Sequence, residues 1–294
     1  MEETGLMHSA HSRRGHLLAF AGALCLTPDG VLVRLAGVDD WSLVFWRGAM
    51  IAAALFLILA ARHRSHFLHH AMSGSRRAWF CSVLFAASSM MFVLGITHTT
   101  IASALVILST TPMFAALYGR LFLGEVTPWR TWLAMGGGAA GIAVVFAGDI
   151  QAGNWLGNLF ALACACLTAA HITVIRSAAS GMNVMSVYGW GGVLVATGCL
   201  LIVPSLSFSL ESLLVLAVMG LLSGLAFFML GEGAKRVTAP EVTLMMLLEP
   251  TLGPIWAFLV LGEKPTLWAV LGGGIVIMSL LLHSLTLLLF SRDS

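Results

Sequence analysis

Apolar runs of about 20 residues follow one another along the chain, separated by short polar breaks, at 15–34, 41–61, 78–97, 100–122, 130–148, 154–175, 184–203, 211–231, 238–260 and 266–289. At 1.5 Å per residue, a helix of that length crosses a hydrocarbon core roughly 30 Å thick. The pattern predicts ten transmembrane helices. The longest connection, Arg62 to Arg77, is rich in Arg and His, and the others leave no room for a soluble domain.

The pattern is written twice. Leu259-Val-Leu-Gly-Glu263 repeats Leu121-Phe-Leu-Gly-Glu125, and Pro250 precedes Gly262 by the same 12 residues that separate Pro112 from Gly124. A shift of 138 pairs Gly95 with Gly233, Thr100 with Thr238 and Pro112 with Pro250, and a shift of 142 pairs Gly15 with Gly157 and Arg34 with Arg176. Helices 1 to 5 thus correspond to helices 6 to 10. Five is odd, so the second copy enters the membrane from the opposite side. The expected fold is all-α integral membrane, with ten transmembrane helices as two inverted five-helix repeats. Residues 1–149 form the first, with 1–14 as a cytoplasmic tail, and 150–294 form the second. Such inverted repeats are typical of transporters.

Composition narrows the class. With 59% hydrophobic and 10% charged residues, the chain has no charged shell to turn toward water, so its solvent is lipid. The five cysteines all lie in apolar runs without His or acidic residues at ligand spacing, so neither a disulfide framework nor a metal site is expected, and they read as small apolar fillers. The first run lacks a small-residue cleavage site and reads as an uncleaved helix. If the N-terminus is cytoplasmic, twelve Arg and Lys residues fall inside, and only Arg34 and Lys264 fall outside; Arg47, within a run, is left uncounted. That bias predicts both termini on the cytoplasmic side.

Each polar group in hydrocarbon needs a partner or a task. Glu249 lies near the middle of helix 9. It is either a proton-binding or amine-recognising group, or a carboxyl bonded to backbone groups freed where Pro250 and Pro254 interrupt the helix. Asp29 and His171, equivalent under the 142 shift, suit the outer and inner ends of a central pathway. The alternative is that Asp29 pairs with Arg34 or Arg47 and His171 bonds a carbonyl. Asn158, Ala161, Cys164, Thr168 and His171 share one helical face. Ser82 with Ser89 and Ser103 with Thr110 form stripes that either line a cavity or bond back to their own helices. Phe227, Phe228 and Trp256 are candidate aromatic surface, and His98 is a gating candidate or a solvated loop residue. Gly220-x-x-x-Gly224 and Gly137-x-x-x-Gly141 predict close helix contacts, and Gly124 and Gly262 predict left-handed helix ends. The Gly136–Gly138 triplet has neither a preceding strand nor a P-loop Lys, so no nucleotide cradle or cofactor is expected.

The paired Pro and Leu-Gly-Glu patterns, the Phe45-Trp46-Arg47 start of helix 2 and the short loops resemble the drug/metabolite transporter superfamily in its ten-helix EamA-like branch. Within it the chain is similar to the bacterial YddG-type exporters of aromatic and other neutral amino acids. The resemblance covers all but residues 1–14 and the loop 62–77. It implies an inner-membrane exporter working by alternating access, with a central cavity lined mainly by helices 1, 3, 4, 6, 8 and 9. The expected substrate is neutral or zwitterionic, because no run carries a cluster of Arg or Lys at mid-depth. The substrate-binding candidates are Ser89, Thr110, Thr168, His171, Phe227 and Trp256. The gating or proton-coupling candidates are Asp29, His98, His171 and Glu249. The expected partners are the lipid bilayer, a small-molecule substrate and, as a candidate coupling ion, the proton; no nucleic acid is expected and no oligomer is required. The alternatives are a drug or cation exporter of the same superfamily and a membrane-embedded enzyme. The enzyme would need paired carboxylates, a Cys/His nucleophile or a metal motif such as H-E-x-x-H, which the sequence lacks. A channel would need a continuous polar face, and these stripes are broken by Leu, Val and Phe.

Overall fold

The structure, a computed structural model, describes residues 15–72, 74–124, 129–177, 182–202, 206, 208–234 and 245–290. Among them the chain is all-helical: α1 (Gly15–Leu35), α2 (Asp40–His63), α3 (Arg76–His98), α4 (Ile101–Leu123), α5 (Trp129–Gln151), α6 (Trp155–Ser177), α7 (Val184–Ile202), α8 (Leu210–Ala234), α9 (Leu248–Leu261) and α10 (Leu267–Phe290). Eight helices, α1 to α8, are long and apolar enough to cross a membrane, and α9 and the Leu267–Ser279 part of α10 are shorter apolar helices. The sequence-expected ninth run begins at 238, and its part before 245 lies outside the described residues. The 62–77 connection is not plain loop. It contains a 3-10 turn, Arg64–His66, and a helix, Phe67–Met72. This segment docks on α7, where Ser186 Oγ donates to the His70 carbonyl and Trp190 Nε1 to the Ala71 carbonyl, each at 2.7 Å.

Side chains before the first turns start several helices. Asp39, Ser75 and Thr100 accept from the backbone N–H groups of Ser42, Ala78 and Ser103, satisfying donors that the helix itself cannot. At the other ends, Gly124 and Gly262 both stand at φ 68°, the left-handed stop expected of them.

Two long helices are broken beside the centre of the bundle. In α1, Thr27 and Pro28 interrupt the ladder, and Thr27 Oγ1 donates to the Leu24 carbonyl at 2.9 Å. In α4 the break falls at Ser109–Thr110, just before Pro112, and both hydroxyls donate back to the carbonyls of Val106 and Ile107 at 2.6 Å. The last turn of α9 widens to a π-helix, Ala257–Leu261. Irregular backbone at membrane depth survives only where protein satisfies it, and these hydroxyls do so.

The helices pair in a definite order. α3 packs along α6, α2 along α7 and α8, α7 along α3, and α5 along α10 at the edge of the bundle. Glycines set the closest approaches. A Cβ on Gly141 would sit 2.7 Å from the Gly272 carbonyl oxygen, and one on Gly272 would sit 2.6 Å from that of Gly141. Gly48 and Gly192 face each other in the same way across α2 and α7, at 2.9 and 2.5 Å. Gly220 and Gly224 abut Met50 and Ala54 of α2, so both predicted small-residue seams are present. The main core gathers Val31, Val33, Leu43, Val44, Val93, Ile96, Ile101, Leu105, Leu216 and Met219. All belong to the end of the bundle where α1 meets α2 and α3 meets α4. Among the described residues, that end is rich in buried apolar side chains.

Candidate functional site

A cavity of about 200 Å³ lies among α1, α2, α3, α4, α6, α8 and α9, with α5 and α10 contributing nothing to its wall. This matches the helices implied by the resemblance, with α2 added through a single residue, Arg47.

Its polar end is an ion pair. Asp29, placed by the break in α1, and Arg47, two turns into α2, are 3% and 4% exposed, and Arg47 Nη2 donates to Asp29 Oδ2 at 2.6 Å. Nη1 donates to Ser89 Oγ of α3 at 2.6 Å, and Ser223 Oγ of α8 donates to Asp29 Oδ1 at 2.9 Å. The guanidinium rests 4.7 Å from the centre of the Phe92 ring, a cation–π contact, and its Nε has no partner among the described residues. Four helices are clasped at one point. Arg34, the other expected mate of Asp29, instead donates Nε to the Ile96 carbonyl at 2.9 Å and Nη2 to the Thr99 carbonyl, tying the end of α1 to the end of α3. Alongside it, Glu263 Oε1 accepts from Ile101 N–H at 2.7 Å.

Glu249 lines the cavity and forms no hydrogen bond or ion pair among the described residues, so the backbone bonds expected around Pro250 and Pro254 are not made by its carboxyl. A wall of Ser88, Cys164 and Thr168 continues from there; Cys164 Sγ donates to the Ser88 carbonyl at 3.2 Å. Opposite the ion pair lies an aromatic corner in which Phe85, His171 and Phe227 line the cavity. Tyr188 of α7 packs behind them, 4.7 Å from Phe85 and 4.9 Å from Phe227, centre to centre.

Several sequence expectations are corrected. Thr110 is buried with its hydroxyl on its own helix, and Thr111 lines the cavity instead, because the break at Ser109–Thr110 changes which face follows. Trp256 stands 40% exposed, donates Nε1 to Thr27 Oγ1 at 3.1 Å and is not part of the wall. His98 sits at the end of α3, away from the cavity, bonded at Nδ1 to Thr97 and Leu94 and 3.6 Å from Asp40. Ser82 bonds across to the Val187 carbonyl at 2.9 Å, Ser103 pairs with Thr100, and Phe228 lies against Arg62. Of the α6 stripe, Cys164, Thr168 and His171 reach the cavity; Asn158 binds Asp149 at 2.8 Å, and Ala161 packs on Gly95. His171 does not bond a carbonyl, since Nδ1 has no partner among the described residues. Ser89, Thr168, Phe227, Asp29 and Glu249 all meet in the one cavity.

Sequence reasoning offers Arg47 only as a mate for Asp29, not as part of a cavity wall, and misses Phe85 and Phe92. A lone cation inside an apolar run, 18 residues after Asp29 of the preceding run, was a signal for the first. The spacing of Phe85, Ser89 and Phe92 at i, i+4 and i+7 was a signal for the others.

The model of the EamA-like transporter family matches the chain twice, over residues 13–147 and 155–285. Among solved structures, one crystal structure aligns with 92% of this chain and 96% of its own, with a TM-score of 0.67 at 17% identity, a likeness of fold alone. No curated protein matches the sequence.

Proposed function

The chain belongs to the EamA-like transporter family, and on that premise we propose that it exports aromatic and other neutral amino acids, or closely related zwitterions, by alternating access. The observation that carries this reading is one cavity holding a guanidinium, Arg47, a carboxyl without a hydrogen bond among the described residues, Glu249, and an aromatic corner. Those three suit the carboxylate, ammonium and side chain of one small zwitterion. The volume of about 200 Å³ is below the roughly 300–1,000 Å³ of sites for drug-sized ligands, which favours a small metabolite.

Ten crossings in two inverted repeats, residues 1–149 and 150–294, agree with the two successive family matches and with the pairing of helices. Under exchange of helix n with n+5, the pairs α2–α7, α4–α9 and α5–α10 map onto themselves, and α3–α7 maps onto α8–α2. In the orientation set by the positive-inside bias, with both termini in the cytoplasm of a bacterial cell and the inner membrane as its home, the end of the bundle rich in buried apolar side chains faces outward. The conformation is then inward-facing or occluded. The carboxyl beyond the balanced Asp29–Arg47 pair favours a second reading, a cationic amine as cargo.

Substrate counterflow in liposomes containing the purified protein tests the proposal, with neutral amino acids, cationic amines and sugar phosphates as the panel. Exchange of the neutral amino acids is expected. Movement of the amines alone would establish the second reading, and movement of none would refute both. Repeating the assay with an imposed pH gradient tests for protons as the coupling ion; equal exchange with and without it identifies a facilitator.

A further inference from the structure

We propose that the aromatic corner is a side-chain subsite in which His171 reads a hydrogen-bonding group on the substrate's ring, selecting hydroxyphenyl or indole over bare phenyl. This rests on the amino acid exporter reading and deepens it.

The corner is built from four helices. The rings of Phe85 and His171 meet edge to face with centres 5.9 Å apart and planes at 88°, those of His171 and Tyr188 at 5.7 Å and 89°, and those of Phe85 and Phe227 at 5.3 Å and 88°. Such a set locks each rotamer and presents both ring faces and ring edges, the surface on which another flat ring packs best. His171 is 4% exposed, lines the cavity, and leaves Nδ1 without a hydrogen-bond partner among the described residues. Buried polar atoms without partners are few in folded proteins, and each asks for an explanation. Phe85 and Phe227 offer no donor or acceptor to the imidazole, Tyr188 meets it ring to ring with no hydrogen bond between them among the described residues, and the nearby thiol of Cys164 is committed to the Ser88 carbonyl. Nδ1 is closed off by protein, and the edge of the imidazole that lines the cavity is left to a water or a ligand there.

The position fits the rest of the substrate. Phe85 lies four residues before Ser89, the residue that holds Arg47, so the corner and the cation are offset by about 6 Å along α3 at 1.5 Å per residue. That offset is the reach of one methylene between an amino acid's charged end and its ring. A phenyl ring entering the corner displaces water and gives the imidazole nothing in return. A ring bearing O–H or N–H replaces the lost bond. A site built around such a bond discriminates strongly, because the unadorned ring leaves the polar group unpaired.

The test is competition counterflow with the full-length wild type, His171→Leu and His171→Gln, using tyrosine and phenylalanine, which differ by one hydroxyl. The wild type is expected to half-saturate with about tenfold less tyrosine than phenylalanine. In His171→Leu the ratio should fall within about twofold, with phenylalanine exchange retained, and His171→Gln should recover part of the preference. A tyrosine preference that survives His171→Leu, or a wild type that takes the two equally, overturns the inference while leaving the exporter reading intact. If neither amino acid moves, the exporter reading falls and the inference with it. Should His171→Leu fail to assemble, the wild-type ratio and His171→Gln still decide.

Discussion

The Asp29–Arg47 pair can be measured as a clasp. Arg47→Met removes the guanidinium and keeps an unbranched stem against Phe92. Asp29 is then left at 3% exposure with only the Ser223 hydroxyl, and Ser89 loses its donor. Removing one member of a buried pair costs about 3–5 kcal/mol, most of it from the charge left behind. The bond to Ser89 is made by the same guanidinium, so it is contained in that figure and not added to it. Asp29→Asn should cost a similar amount, because it strands the cation. The double variant has no unpaired charge, and replacing a whole buried pair is often close to neutral. It should therefore be more stable than either single variant, with a coupling energy of at least about 3 kcal/mol in a double-mutant cycle. Denaturant unfolding of the purified protein in detergent, followed through its 9 tryptophans, provides the assay. Additive losses, with coupling under about 0.5 kcal/mol, would refute the clasp.

The remaining expectations are shorter. Glu249→Gln should preserve the fold, since the carboxyl makes no bond among the described residues, and should lower counterflow of ammonium-bearing substrates about tenfold or more; an unchanged half-saturation would remove Glu249 from the site. Gly141→Ala should destabilise by about 1–3 kcal/mol, because its Cβ would meet Val276 Cγ2 at 2.5 Å and the Gly272 oxygen at 2.7 Å. Gly136→Ala, with nothing within 4 Å, should be neutral or stabilising by up to about 1 kcal/mol, and the reverse order of the two in thermal unfolding would undo the seam.

Much of the fold was legible in the sequence because apolar run length is a direct record of membrane thickness. The runs 15–34 and 78–97 became Gly15–Leu35 and Arg76–His98, and the glycines that stop α4 and α9 stood where expected. Which face of each helix looks inward was far less legible. Lipid is as apolar as a packed core, so both sides of a helix such as α8 are written in the same letters, and periodicity has little contrast. The candidates that do not line the cavity show this. Trp256 was chosen by residue type, and Thr110 by a seven-residue stripe that assumed an unbroken α4. The real α4 kinks at Ser109–Thr110, where hydroxyls fold back on the helix before Pro112, and every inference of face beyond that point shifts. Asp29 and Glu249, which do line it, are legible because a charge in hydrocarbon is conspicuous whichever way it points. Arg47 meets the same criterion, and the sequence offers it as a mate for Asp29, the pair that the structure shows.

If the two halves rock against each other as proposed, the reciprocal glycine contacts, Gly48 with Gly192 and Gly141 with Gly272, are where they would pivot. Along those two lines main chain lies directly against main chain, flanked by the short side chains of Val195, Val276, Val145 and Ala52. A small tilt there slides one smooth surface over another, while the interlocked leucines and isoleucines around Ile101 move only as a block. A single methyl on either line would act as a wedge in a hinge.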